Sequence, residues 1–162
     1  MSIKSYEFYH GSVISRIVEY GRLIKIQTFP SDSNSSFSIN DNEIGIFIKY
    51  TEARISPWRF TFKKSHQKEI EYIKDLHKKT FIILVCNDDG FCCLSWKEYK
   101  QILDSSYDLF EWISCSRMRR EKYTVKGTDG KLKHKIGPGS FRETHLNTSS
   151  WMIDSMNSTR PI

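Results

Sequence analysis

The chain of 162 residues has no long apolar run, and its four cysteines do not show the paired Cys-x-x-Cys spacing of a zinc knuckle. No segment approaches the about 18 apolar residues that a membrane span needs, and the N-terminus lacks the apolar stretch of a signal peptide. We therefore expect a soluble, cytoplasmic protein without a membrane partner. A phosphate-binding Gly-rich loop, a Rossmann fingerprint and a Gly-x-Ser-x-Gly elbow are also missing, so nucleophilic catalysis finds little support.

The cysteines lie in or beside apolar runs, where free thiols pack as small hydrophobic groups in a reducing compartment. A zinc site built from several of them and one of the five histidines is the alternative. The four positions are Cys86, Cys92, Cys93 and Cys115.

The composition predicts a single domain. A hydrophobic content of 38% with 14% aromatic residues is enough for one sizeable core. We expect a globular domain over residues 1–141 and a polar, flexible tail over 142–162, whose isolated "WMI" patch is a candidate contact for a protein partner. The formal net charge of +6 favours an acidic partner such as nucleic acid.

Three runs predict strands. In "EIGIFIKY", residues 43–50, isoleucines alternate with other side chains, and in "WRFTF", residues 58–62, large aromatic residues alternate with Arg59 and Thr61. We expect these two strands to be antiparallel neighbours joined by the loop "TEARISP". The uniformly apolar run "FIILVC", residues 81–86, predicts a central strand that is covered on both faces.

Helices are predicted by apolar stripes and capping signals. "GSVISRIVEYG" is typical of a short helix with Ser12 as its N-cap, and "SHQKEIEYIKDLHKK" of an amphipathic helix. In "SWKE", Ser95 and Glu98 form a capping box that opens a third helix. The fold class predicted is α/β, of the α+β kind: a mixed, mainly antiparallel sheet flanked by about three helices, with a basic C-terminal β-hairpin.

The hairpin is predicted in "KYTVKGTDGKLKHKI", where Asp129-Gly130 is the turn signal. Residues 117–135 contain eight Lys or Arg and two acidic residues, an excess equal to the formal net charge. Such a segment can bind phosphates, or its lysines can simply protect an exposed edge from aggregation. The predicted nucleic-acid contacts here are Arg117, Arg119, Arg120, Lys122, Lys126, Lys131, Lys133 and Lys135.

The order of a helix, strands, an amphipathic helix and a buried strand resembles the core of the PD-(D/E)xK nuclease superfamily. The resemblance implies a magnesium-dependent nuclease in which Lys49 positions or activates the attacking water. The acidic residue expected two positions earlier is replaced by Phe47, which cannot bind a metal. Glu43 shares the face of Lys49 but lies about 20 Å away along an extended strand. A displaced acid from the neighbouring loops is the alternative, at Asp32, Asp41 or Glu52.

These observations lead to three hypotheses. The first is a nucleic-acid-binding protein, on a degenerate nuclease-like scaffold, that binds through the basic segment 117–135 together with Lys49, Arg54 and Arg59. The second is a protein interaction or assembly module without catalysis. The third is an active nuclease that uses Mg²⁺, with Lys49 and Glu43 as the catalytic candidates. The sequence assigns no metal ligands and does not choose between DNA and RNA.

Overall fold

The computed structural model of the protein describes residues 1–19, 23–106 and 110–139. These ranges contain three helices and nine strands. The helices are α1 (Ser5–Val18), α2 (Lys64–Leu76) and α3 (Trp96–Ile102). The strands are β1 (Ile26–Thr28), β2 (Ser36–Ile39), β3 (Ile44–Thr51), β4 (Trp58–Phe62), β5 (Lys79–Cys86), β6 (Phe91–Ser95), β7 (Glu111–Ser116), β8 (Thr124–Gly127) and β9 (Gly130–Lys131).

The first sheet has five strands in the order β1-β2-β3-β5-β6. Its strands pair antiparallel except for β3 and β5, which run parallel from Ile44 opposite Lys79 to Thr51 opposite Cys86. Every residue of β5 after Lys79 is buried. This confirms the prediction of a central strand, and the uniform apolar composition of β5 follows from its cover on both faces.

The expectation that β3 and β4 are antiparallel neighbours is wrong. Both edges of β3 are already hydrogen-bonded, one by β2 and the other by β5, so no edge is free for β4. Instead β4 pairs antiparallel with β7, from Trp58 opposite Cys115 to Phe62 opposite Glu111. The loop after Thr51 therefore carries the chain from one sheet to another.

The second sheet has four antiparallel strands in the order β4-β7-β8-β9. Its last two strands are the predicted C-terminal hairpin. Gly127 pairs with Gly130, so Thr128 and Asp129 form the turn, one residue earlier than predicted. The apolar side chains of the segment around the hairpin are buried, namely Tyr123, Val125, Leu132 and Ile136. The fold is thus α+β, with mixed and mostly antiparallel strand pairing, as predicted.

Two buried clusters lie on opposite faces of the first sheet. On one face, Val13 and Ile17 of α1 pack on a cluster that includes Ile46 and Ile48 of β3. On the other face, Phe47 belongs to a larger cluster shared by both sheets, α2 and α3. Successive side chains of β3 thus point alternately into two different cores. For this reason neither face of β3 is polar along most of its length.

Helix α1 begins earlier than predicted, and Ser12 is not its N-cap. The Glu7 carboxylate accepts a hydrogen bond of 2.6 Å from the backbone N–H of Lys4 and so stabilises the first turn. Ser12 lies inside the helix, where its hydroxyl donates to the carbonyl of Tyr9. The capping box of α3 is confirmed, because the Ser95 hydroxyl accepts from the N–H of Glu98 and the Glu98 carboxylate from that of Ser95.

The end of α3 rests directly on the hairpin. The N–H of Asp129 donates to the carbonyl oxygen of Ile102 at 3.0 Å. A Cβ built on Gly127 would lie well inside the contact distance of the same oxygen, and one on Gly130 would collide with the carbonyl of Gln101. Glycine at both positions therefore permits the backbone of the helix and that of the hairpin to touch.

No helix in the described ranges is long and apolar enough to cross a membrane. The predicted tail, with its "WMI" patch, lies outside the described residues.

Candidate nucleic-acid interface

The outer face of the second sheet carries a line of cations. Because β4 alternates, Phe60 points into the core while Arg59 points outward. Strand pairing then places Arg59 opposite Ser114, Ser114 opposite Lys126, and Lys126 opposite Lys131. Side chains directly opposite one another in antiparallel strands share a face. Arg59, Lys126 and Lys131 thus form a cationic row across four adjacent strands.

Trp112 lies beside the cationic row. It pairs with Thr61, the other outward residue of β4, and the guanidinium of Arg59 lies 4.6 Å from the centre of its indole ring. A cation over an indole face is attracted by the electrons of the ring, which orients the Arg59 side chain along the sheet. Trp112 was not among the predicted contacts, although the alternation within "EWISCS", residues 111–116, is consistent with an outward position.

The three side chains of the cationic row are exposed and form no ion pair with any acidic residue of the described ranges. Like charges directly opposite each other destabilise a sheet, and Lys126 and Lys131 are such a pair. The arrangement therefore opposes folding slightly. It concentrates positive charge where a polyanion can neutralise it.

Most other predicted contacts are exposed near the second sheet or in its connections. Arg119, Arg120 and Lys122 lie between β7 and β8, and Arg54 lies between β3 and β4. Lys133 and Lys135 follow β9. The ammonium of Lys135 lies 3.7 Å from the Glu121 carboxylate, so this lysine is partly neutralised.

Arg117 has a structural role. Its Nε donates to Asp89 Oδ2 at 2.7 Å, and its other nitrogens donate to the carbonyls of Asp89 and Glu121. The hydroxyl of Tyr123, which is fully buried, donates to the same Asp89 oxygen at 2.6 Å. The guanidinium of Arg117 is thus held on the β5–β6 turn rather than presented to a ligand. The sequence shows that Arg117 is a cation, but it does not show that Asp89, 28 residues earlier, pairs with it.

The two catalytic candidates are not brought together. Glu43 immediately precedes β3 and its carboxylate pairs with Lys78 at 2.7 Å, whereas Lys49 lies near the other end of the strand. Lys49 forms no ion pair with a carboxylate in the part of the chain that the structure describes. The predicted lysine is present, but the predicted metal-binding acid does not accompany it.

Lys49 instead faces a cavity of about 520 Å³ whose lining includes Tyr50, Glu52 and His66. Its Nζ lies 3.5 Å from Nδ1 of His66 and 5.4 Å from the centre of the Phe62 ring. Burial and, to a smaller extent, the ammonium of Lys63 lower the pKa of Lys49 to about 8. The lysine therefore titrates close to neutral pH.

The charge of Lys49 also acts on His66. Burial is the main cause that lowers the pKa of His66, and the ammonium of Lys49 lowers it further. We therefore expect Lys49→Met to raise the pKa of His66, measured by an NMR titration of its imidazole ring. Lys49→Arg keeps the charge and serves as the matched control, in which the pKa of His66 stays low. An unchanged His66 titration in Lys49→Met would contradict this geometry.

Among the described residues, no group of three potential metal ligands includes a cysteine. In the described ranges, the one group of three potential ligands comprises Asp104, Glu111 and Asp129. All four thiols are buried, and burial raises the pKa of Cys93. They match the expected packing of free cysteines.

No protein-family model, curated protein or solved structure matches this chain. Its own architecture therefore defines the class of protein. It is an α+β protein with two sheets and a cationic outer face on the second.

Proposed function

We propose that this protein binds nucleic acid through the outer face of its second sheet. The observation that carries the proposal is the cationic row, in which Arg59, Lys126 and Lys131 are exposed, unpaired with acids among the described residues and aligned across four strands. With strands about 4.8 Å apart, the row spans about 14 Å. The three cations of the row can therefore contact consecutive phosphates of one strand.

The chemistry of the row favours contact with the backbone of the nucleic acid. Lysine ammonium groups act as point charges towards phosphate oxygens, and each neutralised phosphate releases counterions. Such contacts position a ligand but do not read its sequence. Trp112 and the guanidinium plane of Arg59 add a surface on which an unpaired base can stack. We therefore propose binding with little sequence preference, in a cytoplasmic setting.

The first sheet supports a nuclease-like scaffold as part of this proposal. Its elements occur in the order α1, β1, β2, β3, α2 and β5, which is the order that underlies the resemblance to the PD-(D/E)xK superfamily, and β4 leaves it for the second sheet. Since Lys49 has no carboxylate partner among the described residues and Glu43 is paired with Lys78, we propose that binding takes place without cleavage by this pair.

The proposal is tested by the salt dependence of binding to single-stranded DNA, single-stranded RNA and duplex DNA, measured by fluorescence anisotropy. We expect the affinity to fall steeply with salt, and the double change Lys126→Gln and Lys131→Gln to reduce the slope of log K against log salt by about 1.5 to 2. Each of the two lost phosphate contacts accounts for about half of that change in slope.

The matched control removes the same charge from the first-sheet side of the molecule. Lys25 and Lys78 are exposed there and pair with Asp41 and Glu43, so Lys25→Gln with Lys78→Gln should leave the slope nearly unchanged. Equal effects of the two double changes would show that only net charge matters and would reject the cationic row as the interface. Absence of binding to all three probes at low salt would reject the function itself.

A further inference from the structure

Three carboxylates converge where α3, β7 and the β8–β9 turn meet. Asp104 follows the end of α3, Glu111 is the first residue of β7, and Asp129 lies in the hairpin turn. One oxygen of each lies within 4.8 Å of the others. Such a concentration of negative charge is unfavourable unless protons or cations neutralise it.

The burial of Glu111 distinguishes this cluster from acids that merely share a surface. The residue is fully buried, and neither oxygen of its carboxylate has a partner within hydrogen-bond geometry among the described residues. The hydroxyl of Thr128 lies near enough to lower the pKa of Glu111, but its hydrogen bond, at 3.5 Å, goes to the carbonyl of Trp112. Burial of a carboxylate without a hydrogen-bond partner costs free energy, because the group loses its hydration and no hydrogen bond replaces it. Burial is the main cause that raises the pKa of Glu111, and the adjacent Asp129 carboxylate also raises it.

The two aspartates are held in place by one oxygen each. Asp104 Oδ1 accepts from the N–H and the hydroxyl of Ser106, and Asp129 Oδ2 accepts from the N–H of Asp104. The other oxygen of each aspartate takes part in none of the hydrogen bonds within the described ranges. The hydrogen bonds of Ser106 lower the pKa of Asp104, which therefore stays ionised. Together with Glu111, these carboxylates offer four oxygens that none of the hydrogen bonds between described residues engages.

The ammonium of Lys100 is engaged by groups outside the cluster. Lys100 acts on Asp104 only weakly, since Ser106 is the main influence on the pKa of that aspartate. Its Nζ donates to the Ser105 hydroxyl at 2.6 Å and lies 3.8 Å from the Glu71 carboxylate. Within the described ranges, Lys100 forms no ion pair with any of the three carboxylates.

We propose that Asp104, Glu111 and Asp129 form a binding site for one hard divalent cation, of the class of Ca²⁺, Mg²⁺ and Mn²⁺. Carboxylate oxygens are the preferred ligands of these ions, and softer metals would demand nitrogen or sulfur. Two of the ligands are exposed, so water completes the coordination shell. The bound ion links the end of α3 to the hairpin that carries Lys126 and Lys131, and it compensates the buried charge of Glu111.

The test uses the full chain after treatment with EDTA and dialysis, titrated separately with CaCl₂, MgCl₂ and MnCl₂. Isothermal titration calorimetry should show one ion bound per chain for at least one of the three, and the thermal midpoint should rise in a saturable way with the same ion. Asp104→Asn and Asp129→Asn should each weaken that binding by about tenfold or more, because each removes one charged ligand.

Two further variants distinguish a bound ion from a general effect of negative charge. Asp75→Asn removes an equal charge from the exposed face of α2 and should leave ion binding unchanged. Glu111→Gln should abolish the ion-dependent rise of the thermal midpoint without lowering the midpoint measured in EDTA. The proposal is overturned if none of the three ions gives a saturable effect, if Asp75→Asn weakens binding as much as Asp129→Asn, or if Glu111→Gln retains the full ion-dependent rise.

Discussion

Gly127→Ala is expected to destabilise the protein by about 1–3 kcal/mol, the typical range for a forced overlap in a packed interior. The new Cβ would collide with the carbonyl oxygen of Ile102, which is backbone at the end of α3 and cannot rotate away as a side chain would. Relief requires α3 to separate from the hairpin, which also breaks the hydrogen bond from Asp129 to Ile102. Urea unfolding followed by circular dichroism measures the loss.

Gly11→Ala is the matched control. Gly11 lies in the middle of α1, and a Cβ there meets nothing within 4 Å. Alanine is the better helix former by about 1 kcal/mol, so this change should leave the stability unaltered or raise it. If the two alanine variants unfold at the same urea concentration, the close contact between α3 and the hairpin is wrong.

Asp89→Ala is expected to cost about 2–4 kcal/mol, because it leaves two donors without their acceptor. The buried hydroxyl of Tyr123 loses its partner, and the half-buried guanidinium of Arg117 loses its counter-charge. Asp88→Ala changes the preceding residue of the same turn, whose side chain is exposed and takes part in no hydrogen bond of the described ranges. That control should stay within about 0.5 kcal/mol of the unaltered protein, and urea unfolding measures both variants.

The same carboxylate predicts a dependence on pH. Burial raises the pKa of Asp89, but hydrogen bonds from Arg117 and Tyr123 outweigh it, so that the pKa in the folded protein lies below the ordinary value. The stabilisation is therefore complete above about pH 4, the value of an unfolded Asp, and is lost as the pH falls through the folded pKa. The difference in unfolding free energy between the unaltered protein and Asp89→Asn should shrink over that acidic range. A difference that stays constant down to about pH 2 would contradict it.

Local patterns were sufficient to predict most of the elements. Alternation predicted β3 and β4, uniform apolarity predicted β5, and the capping box of Ser95 and Glu98 predicted the start of α3. These signals act over a few residues and depend on the burial or hydrogen bonding of each residue itself. The inward and outward faces of β8 also follow from local sequence. Once the ends of the strand are known, successive side chains must point to opposite faces.

Partners distant in sequence were not predictable. The alternation of β4 shows that a strand forms, but its pairing with β7 depends on which sheet edges remain free after β3 has been paired on both sides. The cationic row exists only through that pairing, since it joins Arg59 to two lysines more than 60 residues later. Likewise, the proposed cation site at Asp104, Glu111 and Asp129 requires a helix end and a hairpin turn to meet.

The departure of β4 from the first sheet imposes an order on assembly. All five strands of the first sheet precede Trp96, so that sheet can complete its hydrogen bonding while the chain beyond is still being synthesised. β4 must wait until β7 emerges, with Phe60 and Phe62 lacking their cover in the meantime. Pairings between distant segments form slowly and leave apolar surface open to aggregation. A ribosome-bound chain that has emerged only as far as about residue 106 should therefore bind chaperones more strongly than one that has emerged past residue 139.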